Sequence, residues 1–252
     1  MSTEKKIRID QLLVERRLAE SRQRAQAMIM AGNVLADGRP VTKAGQQVSR
    51  QVELTVKEAC PYVSRGGLKL EGALRAFDID VRDKICLDVG ASTGGFTDCL
   101  LQNGARKVYA VDVGYGQLAW QLRQDERVVV IERANIRHLQ AETLPEPVDL
   151  ITIDVSFISL KIVIPAAVRF LKPDGLILAL IKPQFEIGKG RVGKGGVVRD
   201  PNDHQAVLAD LTAFAGQQGL ACRKAVTSPV TGPKGNVEFF NVFSLDFHKN
   251  AG

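Results

Sequence analysis

The chain has no long hydrophobic run, few histidines and no paired cysteines, and each absence removes a class of function. No stretch approaches the roughly 18–20 uncharged apolar residues that cross a bilayer. The most apolar run, Leu176 to Ile181, has the length of a strand. No apolar segment follows Met1-Ser2-Thr3-Glu4-Lys5-Lys6 to act as a signal peptide, so the expected location is the cytoplasm, with no membrane partner. Cys60, Cys86, Cys99 and Cys222 are scattered without a C-x-x-C pair, and His138, His204 and His248 are equally isolated. Neither a zinc site nor a disulfide framework is expected, and no metal. Three of the four cysteines lie in apolar stretches, where the residue usually serves as a small buried hydrophobe.

Basic charge is what the chain does have. The formal net charge is +6 over 252 residues, a length that suits one large domain and one small one. Residues 1–60 hold eleven Lys/Arg against seven Asp/Glu, and Lys182–Arg199 holds five basic residues against Glu186 alone. Two separated basic zones suggest a polyanion touched in two places, although solvated surface charge would look the same.

Residues 1–60 read as two short helices followed by strands. Asp10 is a plausible N-cap for the first helix, which carries Leu12, Leu13 and Val14, and Ser21 for the second, where Ala25, Met28 and Ile29 share a face. Gly32 can end that helix in the left-handed conformation. Val34-Leu35-Ala36, Asp37-Gly38 and Val41 form a hairpin pattern, and Val52, Leu54 and Val56 alternate as a last strand. The run from Arg8-Ile9-Asp10-Gln11-Leu12-Leu13 through Ser21-Arg22-x-x-Ala25 to Gly32-x-Val34 resembles the small RNA-binding domain named after ribosomal protein S-four. The resemblance implies RNA contacts from Arg8, Arg16, Arg17, Arg22 and Arg24. An oligomerisation module is the competing reading of so short a block.

Pro61 to Gly67, with its proline and paired glycines, reads as a linker. From residue 68 to 252 helical stretches alternate with short apolar runs: Ile85–Val89, Val108–Val111, Val128–Ile131, Leu150–Ile153 and Leu176–Ile181. That pattern predicts a parallel sheet covered on both faces. Lys224–Val230 and Val237–Leu245 are separated only by residues 231–236, which forces an antiparallel pair at the end of the sheet. The expected fold is therefore α/β, a Rossmann-like sheet of seven strands of the methyltransferase class, with a small α+β domain in front.

The first of these strands runs into Asp88-Val89-Gly90-Ala91-Ser92-Thr93-Gly94-Gly95-Phe96-Thr97. A glycine-rich strand-to-helix turn lets a ligand approach bare backbone. The spacing G-x-x-x-G-G departs from the dinucleotide fingerprint, since Ser92 stands where that motif requires glycine, which disfavours a nicotinamide oxidoreductase. Asp112, ending the second strand, can take the hydroxyls of an adenosyl ribose. Asp88 could face the amino-acid part of the cofactor, and Asp149 or Asn135 the adenine edge. The run resembles the cofactor motif of the FtsJ-like RNA methyltransferases, which implies S-adenosylmethionine held by Asp88, Gly90, Ala91, Ser92, Thr93, Gly94, Phe96, Asp112 and Asn135.

Methyl transfer from a sulfonium is an in-line displacement, so the protein must hold the acceptor oxygen and help remove its proton. A lysine can do so if burial and a second cation bring its pKa well below about 10.4. Lys69 begins a helix after Ser64-Arg65-Gly66-Gly67-Leu68, and Asp154 and Lys182 end strands in Asp154-Val155-Ser156-Phe157-Ile158-Ser159 and Lys182-Pro183-Gln184-Phe185-Glu186. Glu238 lies before Phe239-Phe240. No Pro-Cys pair offers a nucleophile for a ring carbon, and no Asp/Asn-Pro-Pro-Tyr run grips an exocyclic amine. Lys69, Asp154, Lys182 and Glu238 resemble the catalytic tetrad of FtsJ-like 2′-O-methyltransferases. With the N-terminal module, S-R-G-G-L-K-L, D-V-S-F-I-S and K-P-Q-F-E, nearly the whole chain resembles the TlyA family. The family implies 2′-O-methylation of cytidine in ribosomal RNA, of either subunit or both, so that ribosomal RNA or a ribosomal subunit is the expected partner, and it carries a haemolysin label. Arg65 and the basic run Gly188–Gly196, with Lys189, Arg191 and Lys194, are expected to touch RNA, the run as a lid too flexible for regular structure. A non-catalytic RNA-binding or ribosome-assembly factor and a membrane-active haemolysin are the alternatives.

Overall fold

The computed structural model describes residues 6–30, 32–56, 60–193 and 195–245, with the side chain of Lys189 set aside. Lys194 and His248 therefore lie outside the described residues. The chain forms two compact units, Met1–Cys60 and Pro61–Gly252.

In the first unit β1 (Ile7–Arg8) leads into α1 (Ile9–Glu15), and α2 (Arg22–Met30) follows. Then come β2 (Val34–Ala36), β3 (Arg39–Pro40), β4 (Gln47–Val48) and β5 (Leu54–Val56). β2 pairs antiparallel with β3 and β5, and β1 with β4, a short pair that the sequence pattern does not signal. Asp37 and Gly38 both take positive φ, the backbone of a tight hairpin turn. Ser21 caps α2 by accepting from the Arg24 amide at 3.1 Å. Ile9, Leu13, Ala25, Ile29 and Val34 are fully or almost fully buried between the helices and the strands. Asp10 is no N-cap. It sits inside α1, fully buried, and its carboxylate accepts from Arg8, Arg22 and Gln26 at 2.9–3.1 Å. Those partners, Arg8 first, hold it well below the usual carboxylate range.

The second unit opens with α3 (Arg65–Phe77), so the expected linker is partly helix. Ser64 is its N-cap, and Gly66 and Gly67 lie in its first turn. The glycines serve packing rather than flexibility: a Cβ on Gly67 would lie 2.2 Å from the Tyr62 ring. Lys69 thus sits one turn inside the helix. β6 (Ile85–Val89), α4 (Gly95–Gln102), β7 (Lys107–Val111), α5 (Trp120–Arg123), β8 (Val128–Ile131) and β9 (Val148–Ile153) follow. The chain continues through α6 (Leu160–Ala167), β10 (Leu171–Ile181), α7 (Pro183–Glu186) and α8 (Pro201–Gln217). It closes with β11 (Leu220–Cys222), β12 (Val226–Thr227) and β13 (Phe239–Leu245).

Strands β8, β7, β6, β9 and β10 lie side by side and parallel; β13 runs antiparallel beside β10. β11 and β12 both pair with β13, so eight segments occupy seven strand positions, the outermost interrupted after Cys222. Period-2 alternation splits the sheet between two cores. Ile177, Ala179 and Ile181 face α6 and α8, packing with Val163, Ile164, Val207 and Leu211; Leu178 and Leu180 face α3 and α4, with Leu70, Leu74 and Leu100. The strand order reverses between β6 and β9, and a crevice opens at their carboxyl ends, where ligands bind in this architecture.

Candidate active site

The loop after β6 is shaped by what cannot be there. Gly90 has φ +86°, and a Cβ on it would stand 2.5 Å from the carbonyl oxygen of Asp154. The ends of β6 and β9 therefore touch through bare backbone. The Ser92 amide donates to Asp112 Oδ2 at 2.8 Å and the Gly114 amide to Oδ1 at 2.6 Å, which fixes the carboxylate at the end of β7. Asp112, Asn135, Gly90 and Ser92 line a cavity of about 570 Å³ with apolar walls from Val113 and Ile136. Each carboxylate oxygen keeps a lone pair for a further donor.

Three residues expected at the cofactor, Asp88, Gly94 and Asp149, border neither this cavity nor the larger one beside it. Asp88 is fully buried, and its oxygens accept from Thr97 Oγ1 at 2.7 Å and Thr152 Oγ1 at 3.0 Å. Burial pushes its carboxyl up to about 7. It joins α4 to β9 from beneath the loop. Gly94 gives its empty side to Leu118 and Leu122, within 2.3–2.8 Å of a would-be Cβ. Asp149 stands at the opposite end of the sheet, where Lys172 pairs with it at 2.7 Å and the Ile85 amide donates to it at 2.8 Å. Phe96 is buried against Phe240, with ring centroids 6.0 Å apart, and Ala91 and Thr93 line the larger cavity with it.

That larger cavity, about 910 Å³, shares Gly90, Ser92, Asp154, Ser156 and Phe157 with the first. It collects Lys69, Asp154, Lys182 and Glu238 from four separate elements. They form two ion pairs rather than a single cluster of hydrogen bonds. Lys69 Nζ donates to Glu238 Oε2 at 2.6 Å, with both side chains almost wholly buried. Lys182 Nζ lies 2.6 Å from Asp154 Oδ1 and donates to Ser156 Oγ at 3.0 Å. Each ammonium thus has a carboxylate as partner, where a second cation was expected. Glu238 Oε1 and Gln184 Oε1 are buried without a hydrogen-bond partner, so the site holds acceptor capacity that the protein does not use.

Several residues at this cavity carry no role from the sequence alone. Phe157 is 90% exposed, has φ +66°, and lies with its ring centroid 5.0 Å from that of Phe185. A left-handed phenylalanine costs about 1–3 kcal/mol and persists only where its surroundings fix it. Asn236 accepts from the Val198 amide at 3.1 Å and donates to the Gly196 carbonyl at 3.0 Å; Lys234 donates to the Gly195 carbonyl at 2.9 Å. Gly195 and Gly196 are therefore tied to the segment that leads into Glu238, and the described part of the basic run has regular pieces, a 3-10 turn at Lys189–Arg191 and a bridge between Gly193 and Val197. The available signal for Ser156, Phe157, Gln184 and Phe185 was their place inside the motifs that carry Asp154 and Lys182.

The expected RNA contacts divide. Arg65 is exposed at the mouth of the larger cavity. Arg191 is ion-paired with Asp203. In the small unit Arg8 and Arg22 reach the buried Asp10 while remaining partly exposed, and with Lys6 and Arg50 they border a basic depression. Arg17 and Arg24 are exposed. Arg16 is committed to the fold, donating to the carbonyls of Val52 at 2.7 Å and Arg50 at 2.5 Å. Among the described residues no three His, Cys, Asp or Glu side chains group as metal ligands, and no helix is long and apolar enough to cross a membrane.

A family model described as FtsJ-like methyltransferase matches residues 62–245, and one described as S4 domain matches residues 7–54. A protein of Bacillus subtilis named as a candidate rRNA methyltransferase, YqxC, is 52% identical over 239 residues, covering 94% of this chain and 85% of the relative. TlyA of Mycobacterium tuberculosis, named a 16S/23S rRNA (cytidine-2′-O)-methyltransferase, is 50% identical over 238 residues, covering 94% and 89%. The solved structure of a candidate hemolysin from Streptococcus thermophilus superposes with a TM-score of 0.75 at 44% identity, covering 97% of this chain and 90% of that one.

Proposed function

The chain belongs to the FtsJ-like methyltransferase family, and from that premise we propose that it methylates the ribose 2′-hydroxyl of cytidine in ribosomal RNA, using S-adenosylmethionine. The observation that carries this reading is the pair of adjoining cavities that meet at Asp154. The smaller suits an adenosyl group: Asp112 offers acceptors for two ribose hydroxyls, Val113 and Ile136 offer apolar walls, and the backbone of Gly90 and Ser92 is open to close approach. Bound there, the cofactor supplies a methyl group on a sulfonium with a good leaving group. Asn135 stands at the adenine side.

The larger cavity takes the acceptor nucleotide. Its task is to hold one hydroxyl oxygen in line with the methyl carbon and to accept the proton as the new C–O bond forms. Lys182 in its neutral amine form, held by Asp154 and Ser156, is the group we assign to take up that proton, and Lys69 with Glu238 closes the other wall. Phe157 and Phe185 offer ring faces at the opening. In the same reading, residues 1–60 grip the RNA through Arg8, Arg17, Arg22 and Arg24. Arg65 and the basic run from Lys189, including Lys194, meet phosphates near the chemistry.

The test is transfer of labelled methyl to purified ribosomal subunits and to naked ribosomal RNA, with Lys182→Ala and Lys182→Arg alongside. Label on cytidine ribose with the native chain, and at least a ~100-fold lower rate with both variants, supports the reaction and the proton role. Arginine keeps the charge but does not give up a proton near neutral pH. Full activity in Lys182→Arg would reduce the lysine to a positive charge. Cofactor binding without label on any substrate would favour a non-catalytic RNA-binding factor.

A further inference from the structure

Two of the sequence motifs end in residues that the chemistry leaves unused. D-V-S-F-I-S begins with Asp154 and ends with Ser159; K-P-Q-F-E begins with Lys182 and ends with Glu186. The structure joins the ends as well as the beginnings. Ser159 Oγ donates to Glu186 Oε2 at 2.6 Å, and the Leu160 amide donates to Glu186 Oε1 at 2.9 Å. The two segments are therefore tied at three levels: Lys182 to Asp154 and Ser156, the Phe185 ring to the Phe157 ring, and Glu186 to Ser159 and Leu160.

We infer that Glu186, acting through Ser159, is a positioning residue that holds the Asp154 segment and the Lys182 segment in register, an inference that rests on the methyltransferase reading for its effect on rate. The left-handed Phe157 lies between the upper and lower ties. Free of the lower tie, residues 155–159 can relax toward an ordinary backbone and carry Ser156 and the Phe157 ring with them. Glu186 suits the task because both its oxygens are acceptors facing two donors. Ser159 is used twice, since its hydroxyl also accepts from the Lys161 amide at 3.2 Å as the N-cap of α6. A carboxylate at a helix N-terminus is further favoured by the orphan amides there. Burial pushes the Glu186 carboxyl up, Ser159 and Leu160 oppose that, and the nearby Lys161 is itself paired with Asp210 at 2.6 Å. A glutamine at 186 would keep the size but offer one acceptor, for the Leu160 amide, and would turn its NH₂ toward the Ser159 oxygen, which already accepts from the Lys161 amide as the cap of α6.

The test compares native chain, Glu186→Gln, Ser159→Ala, the double variant and Ser159→Thr. Three readouts are followed: kcat on ribosomal subunits, Kd for S-adenosylmethionine, and hydrogen exchange of the amides of residues 155–160. Expected are a kcat lower by about 10–100-fold in Glu186→Gln and Ser159→Ala, a double variant no worse than either single, and recovery in Ser159→Thr. Cofactor Kd should stay within about threefold and exchange at 155–160 should rise in step with the lost rate. Unchanged exchange in Glu186→Gln, or a kcat per folded molecule equal to native, would overturn the positioning role. A native chain that transfers no methyl, while Glu186→Gln still accelerates exchange at 155–160, would overturn the reaction and leave the tie standing.

Discussion

Replacing Asp88 with asparagine should remove a pH-dependent weakness from the catalytic unit. The carboxyl is fully buried between Thr97 and Thr152, and burial lifts it from an ordinary value of 3.8 to about 7. Below about pH 4 the folded and unfolded chains both carry the proton. Between about 4 and 7 the unfolded chain has lost it and the folded chain keeps it, so rising pH favours unfolding. Above about 7 both states are ionised and the penalty stays constant. Roughly three pH units at about 1.4 kcal/mol each give a ceiling near 4 kcal/mol. Asparagine can accept from one threonine hydroxyl and donate to the other, so the contact survives without a titrating group. Urea unfolding of the full chain, followed by circular dichroism at pH 5, 6, 7 and 8, reads the effect. Asp88→Asn should exceed native stability by about 1–2 kcal/mol at pH 5 and by about 4 kcal/mol at pH 8, the gap widening by about 2–3 kcal/mol across the window. Asp10, whose carboxyl is held low by Arg8, has the opposite sign and acts only at acid pH, outside this window. Parallel curves for native and Asp88→Asn from pH 5 to 8 would refute a protonated buried Asp88.

Removing Lys69 alone leaves the Glu238 charge buried beside an oxygen that already lacks a partner. Lys69→Met should therefore cost about 3–5 kcal/mol in the same assay, and Lys69→Met with Glu238→Leu should recover most of it while methyl transfer stays lost. In the small unit, Arg22→Ala should weaken RNA binding and lower the slope of log K against log salt by about 1, measured by filter binding from 50 to 200 mM salt. An unchanged slope would mean that Arg22 serves only the buried Asp10.

The strands were legible because a buried parallel strand is a local fact, an apolar run of its own length between turns. Ile85–Val89 occurs at the bounds the sequence suggests and is buried throughout; Val128–Ile131 keeps its bounds, but as the edge strand it has no fully buried residue. What misled was any residue whose partner lies far along the chain. Asp88 reads as a ligand carboxylate at a strand end, yet one of its hydroxyl partners is Thr152, 64 residues away. Asp10 reads as a cap until Arg22 and Gln26 arrive from the next helix. The glycines of Arg65-Gly66-Gly67 read as a break because propensity is local, whereas Gly67 gives its empty side to Tyr62 and Gly66 packs against Gly95 and Phe96 from the next helix. Lys69, Asp154, Lys182 and Glu238 were drawn together by resemblance; their division into two ion pairs needed the sheet.

That division follows from strand order. β9, β10 and β13 are neighbours, and the register pairs Ala179 with Ile153 and Ile181 with Phe239. Asp154 and Lys182 are the first residues beyond parallel strand ends, so they emerge on the same side of the sheet. Glu238 emerges there because β13 is antiparallel and begins where β10 finishes. A parallel β13 of the same seven residues would deliver Glu238 at the far end of the sheet, about 20 Å away at roughly 3.3 Å per residue. Lys69 then approaches from α3, which packs on the face of Leu178, Leu180 and Phe240. The antiparallel strand is thus a condition for closing the second ion pair: it brings a carboxylate that precedes its strand in sequence to the strand ends from which Asp154 and Lys182 emerge, within reach of Lys69 on α3.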